Sequence, residues 1–340
     1  MSRQYRVAVV GVGVVGEEIL RVLDDVEFPA SQVTVMARSA RRQTLAGAER
    51  EVLETTLDTL READIALFAG TEGEKGASAL FGWDAAEAGT LVIDNGSDFR
   101  MDPRVPLVVP EVNPDALEGH QNFIANPNCS TIQMVVALAP LHRAAGIRRV
   151  VVSTYQAVSG TGGAGKRALA EQREGARAGA EGFDTGPYTR QIYDNVIPHI
   201  GGPSETVPGF FSEEIKMILE TRKILDAPDL PVTATCVRVP VLNAHSEAIN
   251  VEFERPLSAD EAREILAGAP GVTVVDDPAA DLYPTPLEAA GRNPVYVGRI
   301  RKDPSNANAL DLWCVADNIR KGAALNAVQI AQEMIRRGLL

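Results

Sequence analysis

The stretch Asn126-Pro127-Asn128-Cys129-Ser130-Thr131 combines a reactive residue type with a setting that could activate it. An apolar run, Phe123-Ile124-Ala125, leads in, and a longer one over residues 132–141 leads out. Asn-Pro marks a turn, and the polar residues from Asn128 to Thr131 can cap a helix. Cys129 then falls in a first helical turn, where backbone N–H groups without intrahelical partners and the helix dipole favour an anion. Such a setting lowers a thiol's pKa and makes the nucleophilic thiolate accessible near neutral pH. A lone cysteine is otherwise a small buried residue. Cys236 and Cys314, both in strand-like runs, fit that plainer description.

A second chemical signal lies at the N-terminus. A β-branched run ending at Val10 meets Gly11-Val12-Gly13-Val14-Val15-Gly16 and then a helical pattern. Strand, glycine loop and helix form the dinucleotide-binding fingerprint: Gly11 for the tight turn, Gly13 for approach of a pyrophosphate, Gly16 for close packing. The next strand, near residues 32–36, ends at Ala37-Arg38-Ser39-Ala40-Arg41-Arg42. An acidic residue there would bond the ribose 2′-hydroxyl of NAD, whereas arginines suit a 2′-phosphate. Arg38 and Ser39, with Arg41 or Arg42 assisting, therefore point to NADP. A solvated basic loop is the alternative.

These signals need elements to hold them, and 340 residues can supply two domains. A net charge of −13 argues against general nucleic-acid binding. No apolar run is long enough for a membrane span, and no signal peptide is visible. Three scattered cysteines give neither a disulfide framework nor a metal site. A cytoplasmic protein is the expectation. Strands at residues 65–69 and 91–94 alternate with helices, as in a doubly wound α/β sheet, and Asp94 to Arg100 forms a polar turn at its ligand edge.

Beyond Cys129 the texture changes. Strands are expected at 150–156, 232–239, 247–253 and 310–316, and helices at 212–224, capped by Ser212, at 258–266 and at 323–337. The glycine-rich run 157–166 nearly matches a P-loop, but Arg167 replaces the required hydroxyl residue, so a loop touching another phosphate or ring is expected. Residues 174–187 read as a Gly/Ala-rich excursion or oligomer contact. His120 and His142 read as hydrogen-bonded loop histidines.

Taken together, the chain resembles the aspartate-β-semialdehyde dehydrogenase family over nearly its whole length. The resemblance rests on Val-Ile-Asp-Asn-Gly-Ser-Asp-Phe-Arg100, Asn-Pro-Asn-Cys129-Ser-Thr, Tyr-Gln156-Ala-Val-Ser-Gly160, Asn-Val-Ile-Pro-His199-Ile, Glu213-Glu-Ile-Lys216, Arg238-Val-Pro-Val-Leu-Asn-Ala-His245 and Asp317-Asn-Ile-Arg-Lys-Gly-Ala-Ala. It implies reversible NADPH-dependent conversion of β-aspartyl phosphate to aspartate semialdehyde and phosphate, in biosynthesis of lysine, threonine and methionine. By the same resemblance Cys129 forms the thioester, His245 is the general acid/base and Gln156 holds the acyl intermediate. Arg238 takes the α-carboxylate, Glu213 the α-ammonium, and Arg100 and Lys216 the phosphate. Ser159, Gly160 and Asn318 match cofactor-contacting positions.

The expected architecture is a Rossmann-type doubly wound NADP-binding domain (1–124 plus 318–340) and an α+β catalytic and dimerisation domain (125–317). A homodimer built on the second domain is expected. The family spaces its first glycines as Gly-x-x-Gly-x-x-Gly; here the spacing is one residue tighter, which is the ordinary Rossmann one, so cofactor binding should survive. An N-acetylglutamyl-phosphate type of reductase would share the thiol and cofactor but gives no reason for Glu213. A catalytically silent nucleotide-binding protein would need none of Cys129, Gln156, Arg238 and His245.

Overall fold

A computed structural model describes residues 3–70, 73–180 and 182–340. The chain divides into two compact units, one of residues 1–128 and 323–340, the other of 129–322. The division lies four and five residues beyond the expected boundaries at 124 and 317.

In the first unit β1 (Tyr5–Val10), α1 (Val14–Asp25), β2 (Ala30–Ala37), β3 (Arg41–Leu45), β4 (Ala48–Glu54), α2 (Leu57–Arg61), β5 (Ile65–Phe68), α3 (Ala77–Glu87), β6 (Leu91–Asp94) and β7 (Phe123–Ala125) follow in order. They build a seven-stranded sheet, β3-β4-β2-β1-β5-β6-β7, in which only the β3·β4 pair is antiparallel. Its central strands, near-continuous apolar runs, are buried as a parallel sheet covered on both faces requires. Arg41 and Arg42 thus belong to an edge strand and not to the loop after β2, a correction to the sequence expectation.

The second unit contains α4 (Cys129–Ala145), β8 (Ile147–Gln156), α5 (Gly162–Arg177), α6 (Ser212–Ile224), β9 (Val232–Arg238), β10 (His245–Phe253), α7 (Ala259–Ala267), β11 (Val272–Val274), α8 (Pro286–Ala289), β12 (Val295–Lys302) and β13 (Ala309–Ala316). The six-stranded mixed sheet runs β11-β12-β13-β10-β8-β9. Helix α4 is apolar on nearly every side and lies buried against β8, β10, β12 and β13, as an all-round hydrophobic helix must. A π-helical turn (Arg320–Ala324) leads into α9 (Leu325–Arg337). The apolar face of α9 joins the core of the first unit, where Leu325, Val328, Ile330 and Met334 pack with residues of β1 and α1.

Four local expectations need correction. Residues 162–166 form the first turn of α5, preceded by a 3₁₀ turn (Val158–Thr161), so the glycine-rich run is no open loop. The excursion over 174–187 begins inside that helix, and its residue 181 lies outside the described residues. Ser212 is the first residue of α6 and Phe211 precedes it; the backbone N–H of Phe211 donates to Glu214 Oε2 at 2.9 Å. His142 lies in the last turn of α4, where Nδ1 accepts from the Ile147 N–H at 2.9 Å. Among the described residues no helix is long and apolar enough to cross a membrane.

Candidate active site

Three adjacent strands deliver the side chains of the candidate site. Strands β8 and β9 run parallel and end in register at Gln156 and Arg238, while β10 runs antiparallel to β8 and begins at His245. One edge of the sheet therefore carries an amide, a guanidinium and an imidazole, all buried. The peptide of Ala157 joins two of them. Its N–H donates to His245 Nδ1 at 2.9 Å, and its carbonyl accepts from Arg238 Nη1 at 2.7 Å. Because Nδ1 accepts, the neutral imidazole carries its proton on Nε2, which is buried and has no hydrogen-bond partner among the described residues.

Burial, together with the Arg238 cation, holds the His245 imidazole well below its ordinary value. His245 is therefore neutral at neutral pH and offers a proton from Nε2. Gly160 comes close to the same pair, since a Cβ added there would meet Arg238 Nη1 at 2.8 Å and His245 Nε2 at 3.3 Å. Only a glycine leaves that space open.

Gln156 is fixed at both ends of its amide. Oε1 accepts from the Thr154 hydroxyl at 3.0 Å, and Nε2 donates to Glu213 Oε1 at 3.1 Å. Lys216, one helical turn on along α6, lies 3.9 Å from Glu213 Oε2. Gln156, Glu213 and Lys216 are thus one connected set. Ser159 and Asn318 are joined to each other: the Ser159 hydroxyl donates to Asn318 Oδ1 at 2.8 Å, and the Ala244 N–H donates to the same oxygen at 3.1 Å. Ala244 has φ of 68°, a left-handed conformation uncommon for alanine, directly before His245. Asn318 Nδ2 is buried without a partner among the described residues, so it can serve a bound ligand.

Cys129 is the first residue of α4 and is half-buried. The π-helical turn passes tightly beside it, since a Cβ on Gly322 would stand 2.8 Å from Cys129 Cβ. The other thiols are sequestered. Cys236 Sγ lies 3.6 Å from Met217 Sδ, Cys314 Sγ lies 3.6 Å from the Gln133 carbonyl, and burial pushes both well above the ordinary thiol range.

The remaining candidates belong to the first unit. Gly11 has φ of 118°, and a Cβ on Gly16 would lie 1.9 Å from the Gly11 carbonyl oxygen, so both positions require glycine. A Cβ on Gly13 would meet nothing within 4 Å, and the first turn of α1, at Val14, Val15 and Gly16, has no side-chain cap. Open space before uncapped N–H groups fits a dinucleotide pyrophosphate. Arg38 and Ser39 are exposed at the end of β2. Arg41 braces the loop, donating to the Ser39 carbonyl at 2.9 Å and to Gln43 at 3.0 Å. Arg100 is buried, with Nε on the Asn126 carbonyl at 3.0 Å and Nη2 on the Asn95 carbonyl at 2.8 Å.

Sequence reasoning missed Gly322, Gln133 and Glu247. Gly322 carried a signal in the run Lys-Gly-Ala-Ala. Glu247 could have been noticed as an acid two residues beyond His245, on the same face of an alternating strand. Among the described residues no group of three or more His, Cys, Asp or Glu is placed to hold a metal.

Two family profiles match the chain: the semialdehyde dehydrogenase NAD binding domain over residues 6–120, and the semialdehyde dehydrogenase dimerisation domain over 138–321. The aspartate-semialdehyde dehydrogenase of Aquifex aeolicus is 48% identical over 99% of each chain. That of Bacillus subtilis is 44% identical over the full length of both. The crystal structure of aspartate semialdehyde dehydrogenase II from Vibrio cholerae, complexed with ASA, superposes with a TM-score of 0.92 at 44% identity. It covers 98% of this chain and 99% of its own.

Proposed function

The chain belongs to the aspartate-semialdehyde dehydrogenase family, and from that premise we propose how its own residues carry out the NADP-dependent interconversion of β-aspartyl phosphate with aspartate semialdehyde and phosphate. The observation that carries the reading is the buried set at the sheet edge, where Arg238, Glu213, Gln156 and His245 converge. An aspartyl substrate has one carboxylate and one ammonium to be recognised, and the edge supplies one guanidinium and one acid for them.

Arg238 takes the α-carboxylate, for which its planar fork is the natural partner. Glu213 takes the α-ammonium, and its bond from Gln156 fixes the direction of both. Cys129 thiolate adds to the acyl carbonyl, the C–O bond to phosphate breaks, and a thioester remains on sulfur. Lys216 and Arg100 take the departing phosphate. When bound, NADPH supplies the hydride that brings the acyl carbon to the aldehyde level. His245 donates its Nε2–H to the carbonyl oxygen as charge develops there, and takes the same proton back from that oxygen as the aldehyde carbonyl re-forms and sulfur leaves as thiolate. Gln156 holds the acyl oxygen's neighbourhood rigid, its amide already oriented by Thr154. Arg38 and Ser39 read the 2′-phosphate, and Ser159, Gly160 and Asn318 border the nicotinamide.

The protein acts in the cytoplasm, in amino-acid biosynthesis, as a homodimer. Support for the dimer comes from the second unit, where Tyr155 is 39% and Leu287 is 90% exposed. Tyr155 and Trp313 stand together on the sheet face opposite α4, with ring centroids 5.4 Å apart, and Trp313 borders a hollow lined also by Tyr283, Pro284, Pro286, Arg299 and Arg301. This sheet face, more than the glycine-rich segment near Gly179, is suited to a second copy.

The test is to mix the protein with aspartate semialdehyde, phosphate and NADP and to follow NADPH formation. Turnover with this aldehyde and none with the N-acetylglutamyl analogue is the expected result; the reverse preference, or no turnover, would overturn the reading. Sedimentation should give twice the chain mass of 36.3 kDa.

A further inference from the structure

Beneath the thiol and the imidazole lies a buried pair that the proposed mechanism leaves unused. Gln133 is four residues after Cys129 on α4, so both occupy one face of that helix. Glu247 is two residues after His245 on β10, so both point to one face of the sheet, the face on which α4 packs. Gln133 and Glu247 are both completely buried. In register beside Glu247 are Cys314 on β13 and Thr154 on β8, and neither carries a charge to balance a carboxylate. Among the described residues neither oxygen of Glu247 and neither amide atom of Gln133 has a hydrogen-bond partner in place. The Gln133 amide is nevertheless the group lying against the Glu247 carboxyl.

Four buried polar atoms without other partners are expensive unless they satisfy one another. A carboxylate could not do this, since it only accepts and would leave Gln133 Oε1 unserved. A neutral carboxylic acid has one donor and one acceptor, the complement of an amide. Burial drives Glu247 well above the ordinary carboxylate range, toward that neutral form.

We propose that Glu247 and Gln133 close a reciprocal acid–amide pair that fixes the helix carrying Cys129 against the strand carrying His245, making Glu247 a positioning residue for the thiol and imidazole. The inference rests on the reading of Cys129 and His245 given above. The pair acts through geometry: it touches no substrate, but a slip of β10 along α4 would move Nε2 relative to the sulfur.

The first test is infrared difference spectroscopy of the intact protein, wild type minus Glu247→Gln, at neutral pH. A protonated-carboxyl carbonyl band is expected, and a carboxylate signature in its place would overturn the proposal whether or not the protein turns over aspartate semialdehyde. The second test is kinetic. Glu247→Gln, which can form an amide–amide pair, should keep kcat and an unshifted pH profile. Glu247→Leu should lower kcat on the order of 10–100-fold with KM little changed and slow alkylation of Cys129, the scale of effect set by small misplacements of reacting groups. If Glu247→Leu does not fold, Gln133→Met breaks the same pair from the helix side, with the same readouts expected. A wild-type-like kcat in the pair-breaking variant, or an equal loss and shifted pH profile in Glu247→Gln, would overturn the positioning role.

Discussion

The two sheets present their ligand edges in opposite ways. In the first unit the groups on offer are backbone N–H groups before α1 and exposed side chains at the end of β2. In the second they are buried side chains, each tied to another: His245 and Arg238 through Ala157, Gln156 to Glu213, Ser159 to Asn318. A backbone edge can bind the common part of a nucleotide at little expense in stability, because its N–H groups are there in any helix. A buried side-chain edge is costly to build, since each polar group must be satisfied, but it places charge and protons where solvent cannot blur them. Substitutions at the first edge should therefore grade binding, and those at the second should remove turnover.

Cys129→Ser should give the largest effect. The hydroxyl lacks an accessible anion, so turnover should fall on the order of 10⁴-fold or more while NADP binding persists. Mass spectrometry of wild type with acyl phosphate should find the thioester on the Cys129 peptide; finding it on Cys236 or Cys314 would refute the assignment.

His245→Gln comes next, with turnover lowered roughly 10²–10⁴-fold and Cys129 still alkylated. In the Cys129→Ser background the second substitution should add little. The imidazole also gives a pH signature. In the unfolded chain it takes up a proton below about pH 6.5, whereas the buried one stays neutral until lower pH. The unfolded state then binds more protons, so His245 makes stability fall as pH drops through that value. Thermal melts of His245→Gln should show a smaller loss between neutral and mildly acidic pH.

Two glycines make the sharpest test of the contrast. Gly160→Ala would push a methyl against Arg238 and His245, an overpacking worth about 1–3 kcal/mol, and should lower kcat as well as substrate affinity. Gly13→Ala meets nothing within 4 Å in the protein, so melts should be unchanged and only cofactor affinity should suffer. Equal thermal destabilisation by both would erase the distinction between the edges.

The smallest effect is expected at Arg38. Arg38 is solvent-exposed, so if it reads the 2′-phosphate as proposed, Arg38→Ala should weaken NADP by roughly 1.5 kcal/mol, the low end for a charge-assisted bond, and leave NAD nearly untouched. Equal losses for both cofactors, measured by titration, would show that β2 ends without reading the phosphate.

What the sequence disclosed and what it hid follow the same physical line. The first strand, glycine loop and helix were legible because each carries a local period or a glycine with one purpose, and Gly16 indeed has no room for a Cβ. The start of α4 at Cys129 was legible from the abrupt onset of an apolar run. The β3–β4 hairpin was not, because its strands are mostly polar, with only Leu45 and Val52 reaching the core, and it turns through Ala46 and Gly47, at φ of 51° and 81°, without the usual Asn or Asp. Helix α5 was hidden by its own glycines. Gly165 is there because Tyr188 Oη and the Val158 carbonyl crowd within 2.5 Å of any Cβ, a tertiary reason that no helix propensity reveals. The state of His245 was equally out of reach, since Arg238 and Ala157 come beside it only when three strands align.

The return of α9 to the first unit has a consequence for how the chain is made. During synthesis β1 and α1 emerge early, yet the residues that close their core, Leu325 to Met334, are made only after the whole intervening unit. The intervening unit is contiguous and can close as soon as it leaves the ribosome. The nascent protein therefore spends its longest wait with a half-covered parallel sheet, the arrangement most open to wrong pairing, and a ribosome that stalls near residue 320 leaves a product with an exposed apolar groove. Truncation there should yield an aggregating chain that a separate peptide carrying α9 can rescue.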